Sequence, residues 1–273
     1  MNARPKRMKT VLALVLAAAV SACALASPAV PGDTAAAAQK KKKLAKDKDP
    51  GHQVEMGAIA LRYELPDEAI RYGQAAVALD PGHFDGWSLL GLAHRAKGEF
   101  AAAAEAFGNA AAIRPDDAPT QRNLGLALAE TGETEKAEAA LKRAVELDGD
   151  AEAAFYLGKI CYNAKRYEEA LGYAVESIRK DGQSAKAYNL KGVSLNQLSR
   201  FAEAAGSFQA GLVLAPEDAG IRINLGIAYL NGGEPAKALA VFEEVLPKLP
   251  AGALRTQVED YIRAIKDAGY SRT

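Results

Sequence analysis

From about Pro50 to Asp267, apolar and small residues return every three or four positions in blocks of roughly a dozen, each closed by a short polar or glycine-containing break. That period buries one side of an α-helix and leaves the other in water. The clearest pair of blocks runs from Phe84 to Asp117, where Trp87, Leu90, Gly91, Ala103, Phe107, Ala110 and Pro115 mark the large, small and closing positions. The spacing predicts two amphipathic helices joined by a turn at Lys97-Gly98-Glu99. Gly91 and Ala103 are small enough for two backbones to approach, Trp87, Leu90 and Phe107 carry the large apolar surfaces, and Pro115 stops the second helix. A unit this size cannot bury its apolar face alone, so copies must stack.

Copies are present. The same columns return with a period of about 34 residues. A weaker first copy, 50–83, keeps Gly57, Ala69, Ala76 and Pro81 but has Gln53 and Gly73 where Trp87 and Phe107 stand in the second, 84–117. The third, 118–150, carries Leu124, Gly125, Ala137, Leu141 and Ala144, and is one residue short near Gly149. The fourth, 151–184, shows Leu157, Gly158, Ala170 and Ser177. The fifth, 185–218, shows Tyr188, Gly192, Ala204, Phe208 and Pro216. The sixth, 219–252, shows Leu225, Gly226, Tyr229, Ala238, Phe242 and Pro250. Ala253–Asp267 reads as one more helix, with Leu254, Val258, Tyr261, Ile262 and Ile265 on one side, and 253–273 would form a capping helix and tail. This set of columns resembles the tetratricopeptide repeat (TPR). The resemblance implies an all-α fold, a right-handed superhelical α-solenoid of about six helix-turn-helix repeats over 50–252 with a C-terminal cap.

Before Pro50 the period is absent. Arg4, Lys6, Arg7 and Lys9 precede the apolar run Val11–Val20, which at about ten residues is too short to span a bilayer and fits a secretory signal over 1–22. Val20-Ser21-Ala22-Cys23 resembles a bacterial lipobox. That resemblance implies export and acylation of Cys23. With Ala24 rather than aspartate next, it implies an outer-membrane anchor facing the periplasm. A plain signal cleaved after Ala26 is the alternative. Residues 23–49, with Pro28, Pro31 and the run Lys40–Lys43, read as a flexible lysine-rich tether.

Charge sharpens the picture. The chain is formally neutral, but ten bases and three acids lie before Pro50, leaving 24 bases and 31 acids on the repeats and tail, a net of about −7. Such a body disfavours nucleic acid. Two cysteines, Cys23 and Cys161, make no disulfide framework. There is no GxxxxGK, GxSxG, HExxH or CxxC motif, and His52, His83 and His94 lack a second ligand at a helical offset. His94 falls in a packing column and is expected as a satisfied core histidine, Cys161 as a buried apolar residue. No catalytic residue, cofactor, metal or small-molecule substrate is expected, and the chain does not read as an enzyme.

The hollow of such a stack is lined by the first helix of each repeat. Positions that avoid the packing columns give an inner stripe of Val54, Ala58 and Leu61; Ser88, Leu92 and Arg95; Arg122, Leu126 and Ala129; Phe155, Lys159 and Tyr162; Asn189, Val193 and Asn196; Ile223, Ile227 and Leu230. Asn123 and Asn224 lie beside it, in a column where related repeats hydrogen-bond a peptide backbone. Candidate binding residues are therefore Arg122, Asn123, Phe155, Lys159, Tyr162, Asn189, Val193, Asn196, Asn224 and Ile227. Phe155 and Tyr162 would be anchors, Arg122 and Lys159 carboxylate partners. Six repeats behind a lipobox resemble the pilotin lipoproteins of type IV pilus systems, which implies a secretin subunit or its peptide segment as partner, and the membrane through the lipid. The other reading is a scaffold for outer-membrane barrel insertion or a regulator of peptidoglycan or polysaccharide enzymes.

Overall fold

The structure, a computed structural model, describes residues 48–148 and 150–270. The signal segment, Cys23 and the tether up to residue 47 lie outside the described residues. Thirteen α-helices follow: α1 (Pro50–Arg62), α2 (Pro66–Leu79), α3 (Phe84–Ala96), α4 (Phe100–Ile113), α5 (Ala118–Glu130), α6 (Thr134–Asp148), α7 (Ala151–Asn163), α8 (Tyr167–Lys180), α9 (Ala185–Gln197), α10 (Phe201–Leu214), α11 (Ala219–Asn231), α12 (Pro235–Val245) and α13 (Ala253–Asp267). A short 3-10 turn, Leu246–Lys248, links the last two. No strand occurs among the described residues.

Odd- and even-numbered helices begin differently. Every first helix of a pair is capped by a side chain, from Asp49, His83, Asp117, Asp150, Ser184 and Asp218 in turn, which satisfies an otherwise orphaned backbone N–H. The second helices α2, α4, α8, α10 and α12 have no such cap. All six second helices, α6 included, emerge directly from a turn whose middle residue has positive φ: Glu64, Gly98, Gly132, Lys165, Ser199 and Gly233. The residue after each donates its N–H back to the carbonyl five positions earlier, as in Glu99 to His94 and Arg166 to Cys161, and this closes the first helix.

Within a pair the close approach is made by glycine. A Cβ on Gly91 would lie 2.5 Å from the Phe107 ring, and one on Gly226 2.5 Å from Phe242. Phe107, Phe208 and Phe242 are consequently among the most buried side chains, each burial contributing about 2–3 kcal/mol. Where the aromatic column fails, a neighbour fills it: Leu90 reaches over Gly73, and Leu190 of the next pair lies over Gly158. Between pairs, a second device recurs. Trp87 Nε1 donates to the Pro81 carbonyl (2.8 Å), Gln121 to Pro115 (2.9 Å) and Arg222 to Pro216, so three unlike residues of one column each tie a helix to the loop before it.

Packing alternates along the chain. Each first helix lies on its own second helix, and each second helix on the first helix of the next pair. Consecutive first helices from α1 to α11 also approach one another, whereas consecutive second helices do not to the same extent. A stack that touches more on one side curves toward it, so the first helices line the inner face. At the end of the array α13 lies on α12, with Tyr261 stacked on Phe242 (centroids 5.2 Å apart) and Val258 and Ile265 buried. Cys161 is buried among helices as expected. His94 differs from expectation: it sits half-buried at the edge of the core, its Nδ1 2.7 Å from a Glu99 carboxylate oxygen, because the turn at Gly98 swings Glu99 back over it.

Candidate protein-binding groove

The inner face changes character along its length. Arg122, on α5, is tied within the chain: its Nη1 donates to Asp150 at 2.6 Å and its Nε lies 3.5 Å from Glu152. Asp150 is also the cap of α7, so one carboxylate fixes both the start of a helix and the guanidinium of the previous repeat. Asn123 is buried and accepts a hydrogen bond from Arg95 at 2.7 Å. Further along, Asn224 donates to Asn189 at 3.0 Å and Asn231 to Asn196 at 3.3 Å, so amides of the fifth and sixth repeats form an intramolecular ladder. Arg122, Asn123, Asn189, Asn196 and Asn224 are thus all engaged by the protein itself.

The apolar candidates divide. Phe155 is half-buried and meets Tyr156 edge-on, with ring centroids 5.2 Å apart and planes at 75°. Tyr162 leans against Tyr167 of α8 at 5.5 Å. Val193 packs on the cluster around Leu195 and Phe208. Ile223 is buried in the terminal cluster, with Ile227 and Leu230 packed against it, because this cluster continues into the capping helix. The sixth repeat's apolar stripe is therefore spent on the end of the array.

Lys159 is exposed and has no ion-pair partner among the described residues. It lines an open cleft of about 660 Å³ with Arg95, Leu126, Ala129, Glu130 and Tyr156, a volume in the range of sites that bury a few side chains. A second open cleft, about 600 Å³, is lined by Arg122, Asp150, Phe155, Lys180 and Lys186. Glu152 and Tyr156 border both. Residue-by-residue reading passed over Tyr156 and Glu130; the signal was available, since Tyr156 occupies the column of Asn123 and Asn224. No group of three or more metal-ligating side chains occurs among the described residues, and no described helix is long and apolar enough to cross a membrane.

No curated protein matches the chain by sequence. Among solved structures, PilF of Pseudomonas aeruginosa is similar with a TM-score of 0.65 at 17% identity, over 82% of this chain and 99% of that one. YrrB, described as a TPR protein with an unusual peptide-binding site, gives 0.61 at 16% identity, over 69% and 97%. MamA gives 0.57 at 22% identity, over 62% and 98%. These are likenesses of fold. A family model for the tetratricopeptide repeat matches residues 55–119, 122–185, 167–219 and 189–253, most of the chain. The chain accordingly belongs to the tetratricopeptide repeat family, and its stacked helix pairs are a scaffold for protein–protein contact.

Proposed function

We propose that the chain is a lipid-anchored adaptor of the bacterial envelope that receives a segment of a partner protein along the inner face of its array. The observation that carries the binding half is the cleft beside Lys159, where apolar surface and an unpaired cation meet on the concave side of a curved stack. The anchoring half rests on Val20-Ser-Ala-Cys23 behind a short apolar run, which argues for export, acylation of Cys23 and an outer-membrane position facing the periplasm. Within this reading the partner is a secretin subunit of a type IV pilus, by the resemblance of a lipobox followed by six repeats to pilotins. The fold shared with PilF is compatible with that partner and carries no more than architecture. The protein acts by holding, without catalysis or cofactor.

A photoreactive residue at Lys159 or Tyr162, installed in living cells, is expected to crosslink to secretin. Crosslinks obtained only from outward positions such as Val213, which is 80% exposed, would remove the groove from consideration. Cys23→Ser is expected to shift the protein from the membrane to the soluble fraction. Unchanged fractionation would refute the lipid.

A further inference from the structure

We propose that the array flexes at the seam between its third and fourth pairs, and that two arginine ties at the ends of α7 set the angle there. In the four other connections between pairs, four residues separate a second helix from the next first helix: 80–83, 114–117, 181–184 and 215–218. Here α6 runs on to Asp148, and only 149–150 precede α7. α6 and α7 also approach each other at fewer positions than any other second helix and the first helix of the next pair. The apolar contact that remains is a strip, Leu141 and Ala144 of α6 against Ala153 and Leu157 of α7, with Tyr156 and Ile160 beside it. An interface with less packed surface resists relative motion less, so this strip is the pivot of the array.

Two ion pairs hold the seam from its ends. At the start of α7, Asp150 and Glu152 share Arg122 of α5, at 2.6 Å and 3.5 Å. Just past the end of α7, about 20 Å along the helix axis, Arg166 donates to both carboxylate oxygens of Glu138 on α6, at 2.9 Å and 2.6 Å. Hydrogen-bonded guanidinium–carboxylate pairs are the strong, directional kind, and these two are partly withdrawn from water. Among the described residues no other seam between pairs has a guanidinium–carboxylate tie at both ends. The seam also underlies both clefts of the inner face. Leu126 and Ala129 of α5 face Tyr156 and Lys159 of α7 across one, and Arg122 faces Phe155 across the other. A change of angle here therefore changes the width of both.

The test measures distances between spin labels by pulsed electron paramagnetic resonance, on the full chain carrying Cys23→Ser. Gln74, Lys142 and Gln209 are exposed at equivalent positions of α2, α6 and α10, and Cys161 is buried, so Gln74→Cys, Lys142→Cys and Gln209→Cys give labelling sites in pairs. Labels at 74 and 142 span two seams without crossing the one between α6 and α7; labels at 142 and 209 span two and cross it. Neutralising both ties with Arg122→Gln and Arg166→Gln is expected to shift and widen the 142–209 distances and to leave the 74–142 distances as they were. Far-ultraviolet circular dichroism should show the helices intact. Should that chain not fold, Glu138→Gln with Asp150→Asn removes the same two charges pairwise, keeps an acceptor for the α7 cap, and is expected to give the same result. An unchanged 142–209 distribution would overturn the inference. So would an equal change in both pairs of labels, which would mean an array that bends evenly along its length. The measurement needs no bound partner, so its failure leaves the groove reading standing.

Discussion

Gly226 shows how much one missing carbon matters. A methyl there would lie 2.5 Å from Cε1 of Phe242, a ring that is fully buried between the pair and the capping helix. Gly226→Ala is expected to cost about 1–3 kcal/mol, read as a lower melting temperature, and Phe242→Leu in the same chain should recover part of it by making room. Cys161 is the opposite case, a side chain whose burial hides its chemistry. Burial pushes its thiol up to about 11, with the nearby Arg166 charge pulling the other way. The folded state thus resists ionisation more than the unfolded chain does. Its contribution is complete below the ordinary thiol value near 9 and is lost as pH rises through about 11. A Cys161→Ala chain should lack that segment of the stability profile, and in a Cys23→Ser background thiol labelling should follow global unfolding.

At the scale of the element, the two kinds of helix start make separate predictions. The positive-φ turn position is glycine at Gly98, Gly132 and Gly233 but Glu64, Lys165 and Ser199 elsewhere, where an L side chain is strained. Lys165→Gly should therefore stabilise by up to about 1 kcal/mol and Gly132→Ala destabilise by a similar amount, measured by urea denaturation. The capped starts respond to side-chain chemistry instead. Asp150→Ala removes the α7 cap and the partner of Arg122, and should cost about 1–2 kcal/mol. Asp150→Asn keeps an acceptor for the Ala153 N–H and loses only the charge, so it should cost less while freeing Arg122 toward the groove.

For the molecule as a whole, stability is a sum of pairs and their interfaces, and the two ends are unequal. The described residues place nothing over the outer side of α1, where Ile59 is 37% and Tyr63 57% exposed, and the first copy has Gly73 in the aromatic column. The last repeat is sealed by α13. Amide hydrogen exchange is expected to open α1 and α2 first and to protect α11 and α12 longest. Uniform protection along the array would contradict the nearest-neighbour account.

The period of small and apolar residues by itself determined that the chain is a run of helix pairs, because Gly91, Gly192 and Gly226 with Phe107, Phe208 and Phe242 can be buried in only one local way. It also marked the face that turns inward, since side-chain direction on a helix follows from spacing. Tertiary structure decided what those inward residues are free to do. Arg122 and Lys159 are alike as letters, but Asp150 lies against one and no carboxylate against the other. Ile227 resembles a groove residue until α13 closes over its cluster, and Leu190 fills a gap left by the repeat before it. Such pairings join residues about one repeat apart, and no local pattern encodes which of several nearby partners a side chain will meet.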